Sequence, residues 1–162
     1  PHGPLQLDPG VDQLAALGPV LAQHPQVVVI SDEIYLHLVY GGTEFTPFAV
    51  ACPELADRTV SVHGVSKSFA MTGWRIGYAG GTATLIRAMK KVQSQSTSNP
   101  TSISQVAAQA ALEGDQSCIS PMIKAFRERH DFVVEALNRI PGVECLPADG
   151  TFYCFPQVSS VI

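Results

Sequence analysis

Charged side chains are scarce in this sequence of 162 residues, because Asp, Glu, Lys and Arg together make up only 15% of it. There are 10 Lys and Arg residues against 14 Asp and Glu residues, so the formal net charge is −4. The longest basic run is the pair Lys90 and Lys91. A nucleic-acid-binding surface needs clustered positive charge. We therefore expect no nucleic-acid partner.

Long apolar runs and paired cysteines are absent as well. No segment approaches the roughly 18 consecutive apolar residues of a membrane-spanning helix, so no membrane partner is expected. The cysteines form no C-x-x-C pair and show no metal-ligand spacing; they are Cys52, Cys118, Cys145 and Cys154. We interpret them as buried or incidental thiols in a reducing compartment. We expect no metal site and a cytoplasmic location, with an organelle as the alternative.

The sequence has the length and the apolar share, 46%, of a globular chain that buries a core. It opens on Pro1 rather than Met. It closes on GTFYCFPQVSSVI, where a predicted strand begins and no later strand follows for it to pair with. We therefore expect an interior piece of a longer protein.

Predicted strands alternate with predicted helices along most of the sequence. The β-branched run at residues 27–31, VVVIS, is typical of a strand buried on both faces of a parallel sheet. Residues 59–63 and 75–80 are the next predicted strands, and residues 41–58, punctuated by glycine and proline, form a connection. Alternation of this kind predicts an α/β fold.

Four helices are predicted from capping residues and apolar periodicity. They start at Asp8-Pro9, with a kink or break at Gly18-Pro19; after Thr82; at Thr101 or Ser102, ending by Leu112; and at Pro121, ending before Pro141-Gly142. Two short predicted strands, GVECL and TFYCF, follow the last helix. This change of pattern divides the chain into part of a large domain, residues 1–117, and the start of a small domain, residues 118–162.

Lys67 lies in a predicted turn between two strand-like runs, TVSVHG and WRIGYAGG. The carboxyl ends of strands are where open α/β sheets bind their ligands. A single lysine in such a turn is ordinarily a solvated loop charge. Here, however, Asp32 and Tyr35 end the preceding strand, and Ser66 and Arg75 flank the turn. If the two strands are neighbours, about 5 Å apart, these groups converge on one ring-sized ligand.

This set of side chains meets the chemical requirements of pyridoxal phosphate. A lysine amine forms a Schiff base with a carbonyl cofactor. A carboxylate keeps a pyridine nitrogen protonated, and a tyrosine hydroxyl can hydrogen-bond the phenolic oxygen of the ring. An arginine fork, a serine hydroxyl and backbone N–H groups bind a phosphate dianion. The segments SDEIY and SK-x7-R supply every member of the set.

VVVISDEIY, followed by VHGVSKSFAMTGWRIGYAGG, resembles the class I aminotransferases, which are fold-type I pyridoxal phosphate enzymes. Within that family the sequence is most similar to the bacterial and plastid-type aspartate and prephenate aminotransferases. The similarity extends to QSQSTSNPTSISQVAAQAALEG and GTFYCFP. The resemblance implies an α/β fold in which part of a large-domain mixed sheet with flanking helices is followed by the start of a small α+β domain.

The resemblance also implies a role for each residue of the set. Lys67 is the implied Schiff-base lysine and the base for the 1,3-proton shift. Asp32 is the implied partner of the pyridine nitrogen, and Tyr35 that of the ring oxygen. Ser66 and Arg75 are the implied phosphate contacts.

Four neighbouring residues receive other interpretations. Many relatives carry S-x-S-K, whereas Gly64 stands at the first serine position here, so one side-chain phosphate contact is missing. We interpret Glu33 as structural, since adjacent residues of a strand face opposite sides. His63 is interpreted as a hydrogen-bonded histidine in the core or behind the site. Ser68 is interpreted as a solvated or capping hydroxyl.

The implied function is pyridoxal phosphate-dependent aminotransfer by a ping-pong mechanism. An L-amino acid, of the aspartate, glutamate or aromatic type, gives its amino group, and a 2-oxo acid receives it. The implied assembly is a homodimer. Other conserved parts of the family's site have no match in this chain, so we expect the piece alone to be inactive. Two alternatives stay open: a pyridoxal phosphate-dependent lyase on the same fold, and the aminotransferase-like sensor domain of a transcription regulator.

Overall fold

A computed structural model describes residues 10–161 of the chain. Its helices are α1 (Val11–Ala22), α2 (Phe48–Ala51), α3 (Val65–Ser68), α4 (Ala83–Ser94), α5 (Ser102–Glu113) and α6 (Ile119–Asn138). Its strands are β1 (Val29–Asp32), β2 (Thr59–Gly64) and β3 (Gly77–Gly80). Two 3₁₀ turns, Pro53–Arg58 and Thr72–Trp74, come before β2 and β3. The predicted α/β alternation is thereby confirmed.

The three strands form one mixed sheet in the order β1-β2-β3. β1 runs parallel to β2, with Asp32 beside Val62, and β2 runs antiparallel to β3, with Gly64 beside Gly77. Parallel strands end at the same edge of a sheet, and an antiparallel neighbour begins there. The segments that follow β1, follow β2 and precede β3 therefore share one edge.

The two faces of the sheet differ in how they are covered at β1. Alternate residues of a strand point to opposite faces, so Val29 and Ser31 are partly buried while Ile30 is 72% exposed and Asp32 is exposed too. The core beneath the covered face contains Phe48, Cys52 and Leu55, with Leu14, Leu21 and Val29 packed against it. Asp32 consequently points to the open face.

A second apolar cluster lies under the segment that contains Lys67. Val65, Ile76 and Ala108 are buried together, and Phe69 and Met71 pack against them. Each fully buried aliphatic side chain stabilises the fold by roughly 1.5–3 kcal/mol. This cluster joins α3 and the start of β3 to α5, so α5 supports the turn that carries Lys67.

Helix α1 continues through Pro19, so a break there is wrong, and the kink predicted as its alternative stays a prediction. Gly18 is buried, and a Cβ at this position would lie 2.5 Å from Oε1 of Glu54, so glycine lets α1 lie close to the 3₁₀ turn. The guanidinium of Arg58 donates to three carbonyl oxygens at and beyond the end of the helix, those of Leu21 (2.6 Å), His24 (2.6 Å) and Val27 (2.8 Å). Tertiary contacts therefore stabilise a helix that local propensity would interrupt. The predicted start at Asp8-Pro9 lies outside the described residues.

The two short strands predicted after the last helix are absent from the described residues. GVECL contributes one isolated bridge, Glu144 with Gln157, and the isolated bridge of Gly150 with Val39 comes just before TFYCF. The side chain of Asn138 takes both backbone groups of Cys145, accepting from its N–H and donating to its carbonyl, each at 2.8 Å. Cys145 therefore has no backbone group left to continue a ladder.

The last long helix, α6, begins at Ile119, two residues before the predicted start at Pro121. Proline is tolerated in the first turn of a helix, where its missing N–H would have no partner in the helix. Within residues 10–161, no helix is both long enough and apolar enough to cross a membrane.

Arg58→Ala should lower the free energy of unfolding by about 2 kcal/mol, since a hydrogen bond from a charged group is worth roughly 1.5–3 kcal/mol. Urea unfolding measures the change. Arg87→Ala is the matched control, because Arg87 is exposed on α4 and forms no hydrogen bond or ion pair in the described part of the chain. We expect the control to stay within about 0.5 kcal/mol of the unchanged protein. Equal losses in the two variants would contradict the stabilising role of Arg58.

Candidate active site

Asp32 and Tyr35 lie where the chain leaves β1. Oδ1 of Asp32, the last residue of the strand, accepts the backbone N–H of Ile34 at 3.3 Å. A backbone hydrogen bond from Leu36 to the carbonyl of Glu33, at 3.1 Å, closes the turn that carries Tyr35. The Asp32 carboxylate stays exposed, whereas Tyr35 is half-buried. The carboxylate of Asp32 and the phenol of Tyr35 thus lie at the same end of β1 in different environments, the first exposed and the second half-buried.

Lys67 lies on the one-turn helix α3, directly after β2. Val65 and Ser68, on either side of it, are buried and fix the helix against the core. Its Nζ lies 5.6 Å from the ring centroid of Tyr35 and 5.1 Å from that of Phe152. Lys67 forms no ion pair with any residue in the range 10–161. The amine is therefore placed against two aromatic rings and remains free to react.

Ser66 and Arg75 are brought to one turn by Thr72. The Thr72 hydroxyl donates to the carbonyl of Ser66 at 3.0 Å, and Nη1 of Arg75 donates to the carbonyl of Thr72, also at 3.0 Å. Arg75 has a φ of 56°, in the left-handed region that non-glycine residues rarely adopt. Its exposed guanidinium keeps further N–H groups free in this conformation. The hydrogen bonds of Thr72 thus hold the backbone of Ser66 and the guanidinium of Arg75 in one turn.

Gly64, the position that departs from S-x-S-K, lies where β2 closely approaches the chain before β3. A Cβ added there would lie 3.2 Å from the carbonyl oxygen of Ile76 and 3.4 Å from Cδ1 of Ile34. A serine at this position would have to displace one of these neighbours slightly. The tight packing explains glycine here.

Two aromatic residues of the site, Phe152 and Tyr153, were missed by sequence reasoning. The ring of Phe152 meets that of Tyr35 edge-on at 5.5 Å, and the hydroxyls of Tyr153 and Tyr35 lie 2.9 Å apart. Both residues belong to GTFYCFP, a segment that carried the family resemblance but no assigned role. An aromatic pair directly after a glycine turn was the available signal, and nothing local indicated what it would contact.

Long-range backbone hydrogen bonds hold this aromatic pair against Tyr35. The N–H of Thr151 donates to the carbonyl of Leu38, and the N–H of Tyr40 donates to the carbonyl of Asp149, each at 2.7 Å. The Tyr40 hydroxyl also donates to the carbonyl of Thr151. The segment after Tyr35 therefore places the residues that follow Gly150.

Ser68, predicted as a solvated or capping hydroxyl, is buried instead, with 2% exposure. Its hydroxyl lies 2.9 Å from Nδ1 of His37, which follows Tyr35 closely in the chain. Burial, with a smaller contribution from the nearby His63, lowers the pKa of His37. A neutral His37 thus connects the segment after β1 to the helix that carries Lys67.

The structure places the predicted site residues in two groups. Asp32, Tyr35 and Lys67 form one, since Asp32 also acts electrostatically on Tyr35. Ser66 and Arg75 form the other, joined to the first because Ser66 precedes Lys67. No hydrogen bond or ion pair links Arg75 to the first group in the part of the chain that the structure describes.

This donor set fits pyridoxal phosphate. It offers an amine without an ion pair, an exposed carboxylate, a half-buried phenol, and a guanidinium with free N–H groups. No cluster of three or more His, Cys, Asp or Glu suited to a metal ion occurs among residues 10–161.

The amino-acid sequence closely matches known aminotransferases. It is 54% identical over 152 residues to the aspartate/prephenate aminotransferase of Nitrosomonas europaea, covering 94% of this chain and 38% of that protein. It is 46% identical over 157 residues to the aspartate aminotransferase of Geobacillus stearothermophilus, covering 97% of this chain and 40% of that protein. The chain thus spans about two fifths of the length of these relatives.

The fold matches solved structures over a similar span. The crystal structure of the Rhizobium meliloti aspartate aminotransferase superposes with a TM-score of 0.92 at 45% identity, covering 95% of this chain and 38% of that one. The Thermotoga maritima aspartate aminotransferase gives 0.82 at 39% identity, covering 98% and 40%. A sequence model described as aminotransferase class I and II matches residues 1–161. The chain therefore belongs to the class I and II aminotransferases, pyridoxal phosphate-dependent proteins of fold-type I.

Proposed function

We propose that the full-length protein is a pyridoxal phosphate-dependent aminotransferase working by a ping-pong mechanism. The observation that carries the proposal is the position of Lys67, whose Nζ lies 5.6 Å from the Tyr35 ring beside the strand end that bears Asp32. The relatives named above act, by their names, on aspartate or prephenate. We propose an L-amino acid of the aspartate, glutamate or aromatic type as donor and a 2-oxo acid as acceptor.

Lys67 has two tasks in this proposal. Its amine would anchor the cofactor by condensing with the carbonyl group, with loss of water. The freed Nζ would then take the proton from the α-carbon of the donor in the first half-reaction and give a proton to the α-carbon of the product in the second. The bound cofactor supplies an electron-withdrawing ring that stabilises negative charge at the α-carbon.

The other residues bind and orient the cofactor. The exposed carboxylate of Asp32 would pair with the ring nitrogen and keep it protonated. Ser66 and Arg75 would hold the phosphate, because a guanidinium fork and a hydroxyl match its oxygens. Their position in one turn supports this assignment.

Tyr35 would donate a hydrogen bond to the ring oxygen. Burial raises the pKa of its phenol well above the usual 10.0, and the hydrogen bond with Tyr153, the proximity of Tyr153 and the negative charge of Asp32 raise it further. A phenol with a raised pKa keeps its proton at neutral pH. Tyr35 is therefore a donor throughout the working range.

We propose a homodimer as the assembly and the cytoplasm as the location. The family resemblance supports the dimer, and the four free cysteines support a reducing compartment. Analytical ultracentrifugation of the full-length protein tests the assembly, and a monomer would contradict it.

Borohydride reduction of the full-length protein loaded with pyridoxal phosphate should leave a pyridoxyl group on Lys67. The amine binds the cofactor and moves the proton, so Lys67→Ala should lose both the label and at least about a thousandfold of the transamination rate. Peptide mass spectrometry locates the label, and an amino-donor assay measures the rate.

Lys90→Ala is the control for this experiment, because Lys90 is exposed on α4. It should keep both label and activity. A label on another lysine would refute the site, and full activity in Lys67→Ala would refute the mechanism. Label on Lys67 without transamination of any amino acid would favour a lyase on the same fold.

Arg75→Ala should weaken pyridoxal phosphate binding by about tenfold or more, since a charged hydrogen bond to phosphate is lost. Equilibrium titration of the cofactor-free full-length protein measures the affinity. Arg87→Ala removes an exposed arginine outside the site and should bind as tightly as the unchanged protein. Unchanged affinity in Arg75→Ala would rule out the phosphate role.

Tyr153→Phe should lower the pKa of Tyr35, because two of the causes that raise it come from Tyr153. The pKa should remain above 10.0, since burial is the largest cause and persists. Alkaline titration of phenolate absorbance measures the change. Tyr35→Phe, made both in the unchanged protein and in Tyr153→Phe, identifies the Tyr35 signal.

The raised pKa of Tyr35 also predicts how the stability of the fold changes with pH. Tyr35 keeps its proton more firmly in the folded state, so its contribution to stability is complete below pH 10.0 and falls as pH rises further. Tyr153→Phe should reduce that fall. An unchanged Tyr35 titration would show that the two hydroxyls do not interact.

A further inference from the structure

Glu33 is a buried carboxylate with an unusual number of partners. Its side chain is only 2% exposed. Oε1 accepts hydrogen bonds from the hydroxyl of Ser31 (2.9 Å), the backbone N–H of Phe48 (3.1 Å) and the hydroxyl of Ser61 (3.3 Å). Oε2 lies 3.0 Å from Nε2 of His63. One side chain thus connects the end of β1, the start of α2 and the middle and end of β2.

His63 extends this connection to the third strand. Its imidazole stacks on the ring of Tyr78, with centroids 5.5 Å apart and planes inclined by 21°. Its Nδ1 is buried and has no hydrogen-bond partner among residues 10–161, so Glu33 is the polar contact of the ring there. Glu33, His63 and Tyr78 therefore form a continuous row across β1, β2 and β3, which we name the transverse row.

The transverse row lies on the sheet face opposite Asp32. Asp32 is beside Val62 in the parallel register, so the next residues, Glu33 and His63, point the other way. His63 is also the register partner of Tyr78 on β3. The row lies on the face opposite Asp32; Glu33 is buried there, and Tyr78 at the far end of the row is 40% exposed.

Each member of the transverse row is close in sequence to one of the cofactor-binding residues proposed above. Glu33 directly follows Asp32. His63 lies in β2, a few residues before Lys67, and Tyr78 lies in β3, a few residues after Arg75. A lateral shift between the strands would therefore move Asp32, Lys67 and Arg75 relative to one another.

We propose that Glu33 and His63 are positioning residues for the cofactor site, and that their contact sets the spacing between Asp32 and Lys67. The inference rests on the proposed function, because it concerns how the pyridoxal phosphate groups are held. Both residues act through the strands and touch neither cofactor nor substrate.

His63 is needed because the Glu33 carboxylate that it contacts is buried. Oε2 of Glu33 forms no hydrogen bond in the described part of the chain, and its polar contact there is Nε2 of His63, at an ion-pair distance of 3.0 Å. A buried carboxylate oxygen without a partner is strongly unfavourable, so loss of His63 forces Glu33 to rearrange or to admit water. Either response moves the residue next to Asp32.

The test measures two quantities on the full-length protein: the melting temperature of the cofactor-free form and its affinity for pyridoxal phosphate. His63→Leu removes the contact with Glu33 and puts an apolar side chain of similar length in place of the imidazole. His63→Gln retains an amide N–H that can reach Glu33. We expect His63→Leu to bind pyridoxal phosphate about tenfold more weakly and His63→Gln to recover to within about threefold.

Thr59→Val is the matched control at the other end of the same strand. The buried Thr59 hydroxyl donates to the carbonyl of Leu55 at 2.8 Å, so this variant loses a buried hydrogen bond far from Lys67. It should lower the melting temperature and leave the affinity for pyridoxal phosphate unchanged. A purely structural role for His63 would make His63→Leu behave in the same way.

The outcomes separate this inference from the proposed function. If the unchanged protein binds pyridoxal phosphate on Lys67 while His63→Leu binds as tightly as Thr59→Val, the positioning role is overturned and the function stands. Failure of His63→Gln to restore affinity also overturns it. If the unchanged protein binds no pyridoxal phosphate, both the proposed function and this inference fail.

Ser61→Ala keeps the inference testable if His63→Leu does not fold. It removes one donor to Oε1 of Glu33 and leaves the apolar core intact. We expect pyridoxal phosphate binding to weaken by about threefold with little change in melting temperature. Affinity equal to that of the unchanged protein would overturn the positioning role.

Discussion

The arrangement of the site depends on the pairing of β2 with a parallel neighbour on one side and an antiparallel neighbour on the other. This pairing brings two strand ends and one strand start to a single edge, where Asp32, Lys67 and Arg75 lie on separate segments. None of these residues contacts another through a hydrogen bond or ion pair in the described part of the chain. The backbone ladder, together with the contacts on the covered face of the sheet, therefore determines their geometry.

The same edge separates a rigid support from reactive groups. Buried neighbours fix α3 on both sides of Lys67, yet the amine itself lies only against aromatic rings. Asp32 and Arg75 are exposed at the ends of well-paired strands. A site of this kind keeps its charged groups available to a ligand while the core and the ladder limit their movement.

Sequence reasoning predicted the structure that short segments encode and failed where the structure depends on distant contacts. The strand runs and the SDEIY and SK-x7-R segments predicted the α/β alternation and the approach of Tyr35 to Lys67. Phe152 and Tyr153 were missed because residues far away in sequence, near Tyr40, place them. The wrong predictions at Pro19 and in GVECL have the same origin, since side chains from other elements, Arg58 and Asn138, take the relevant backbone groups.

The left-handed backbone at Arg75 has a cost in folding stability. Glycine adopts a φ of 56° without strain, so the position would fold more easily with glycine than with arginine. Selection for stability alone would therefore favour loss of the guanidinium. If Arg75 holds the cofactor phosphate as proposed, ligand binding offsets this cost in folding stability.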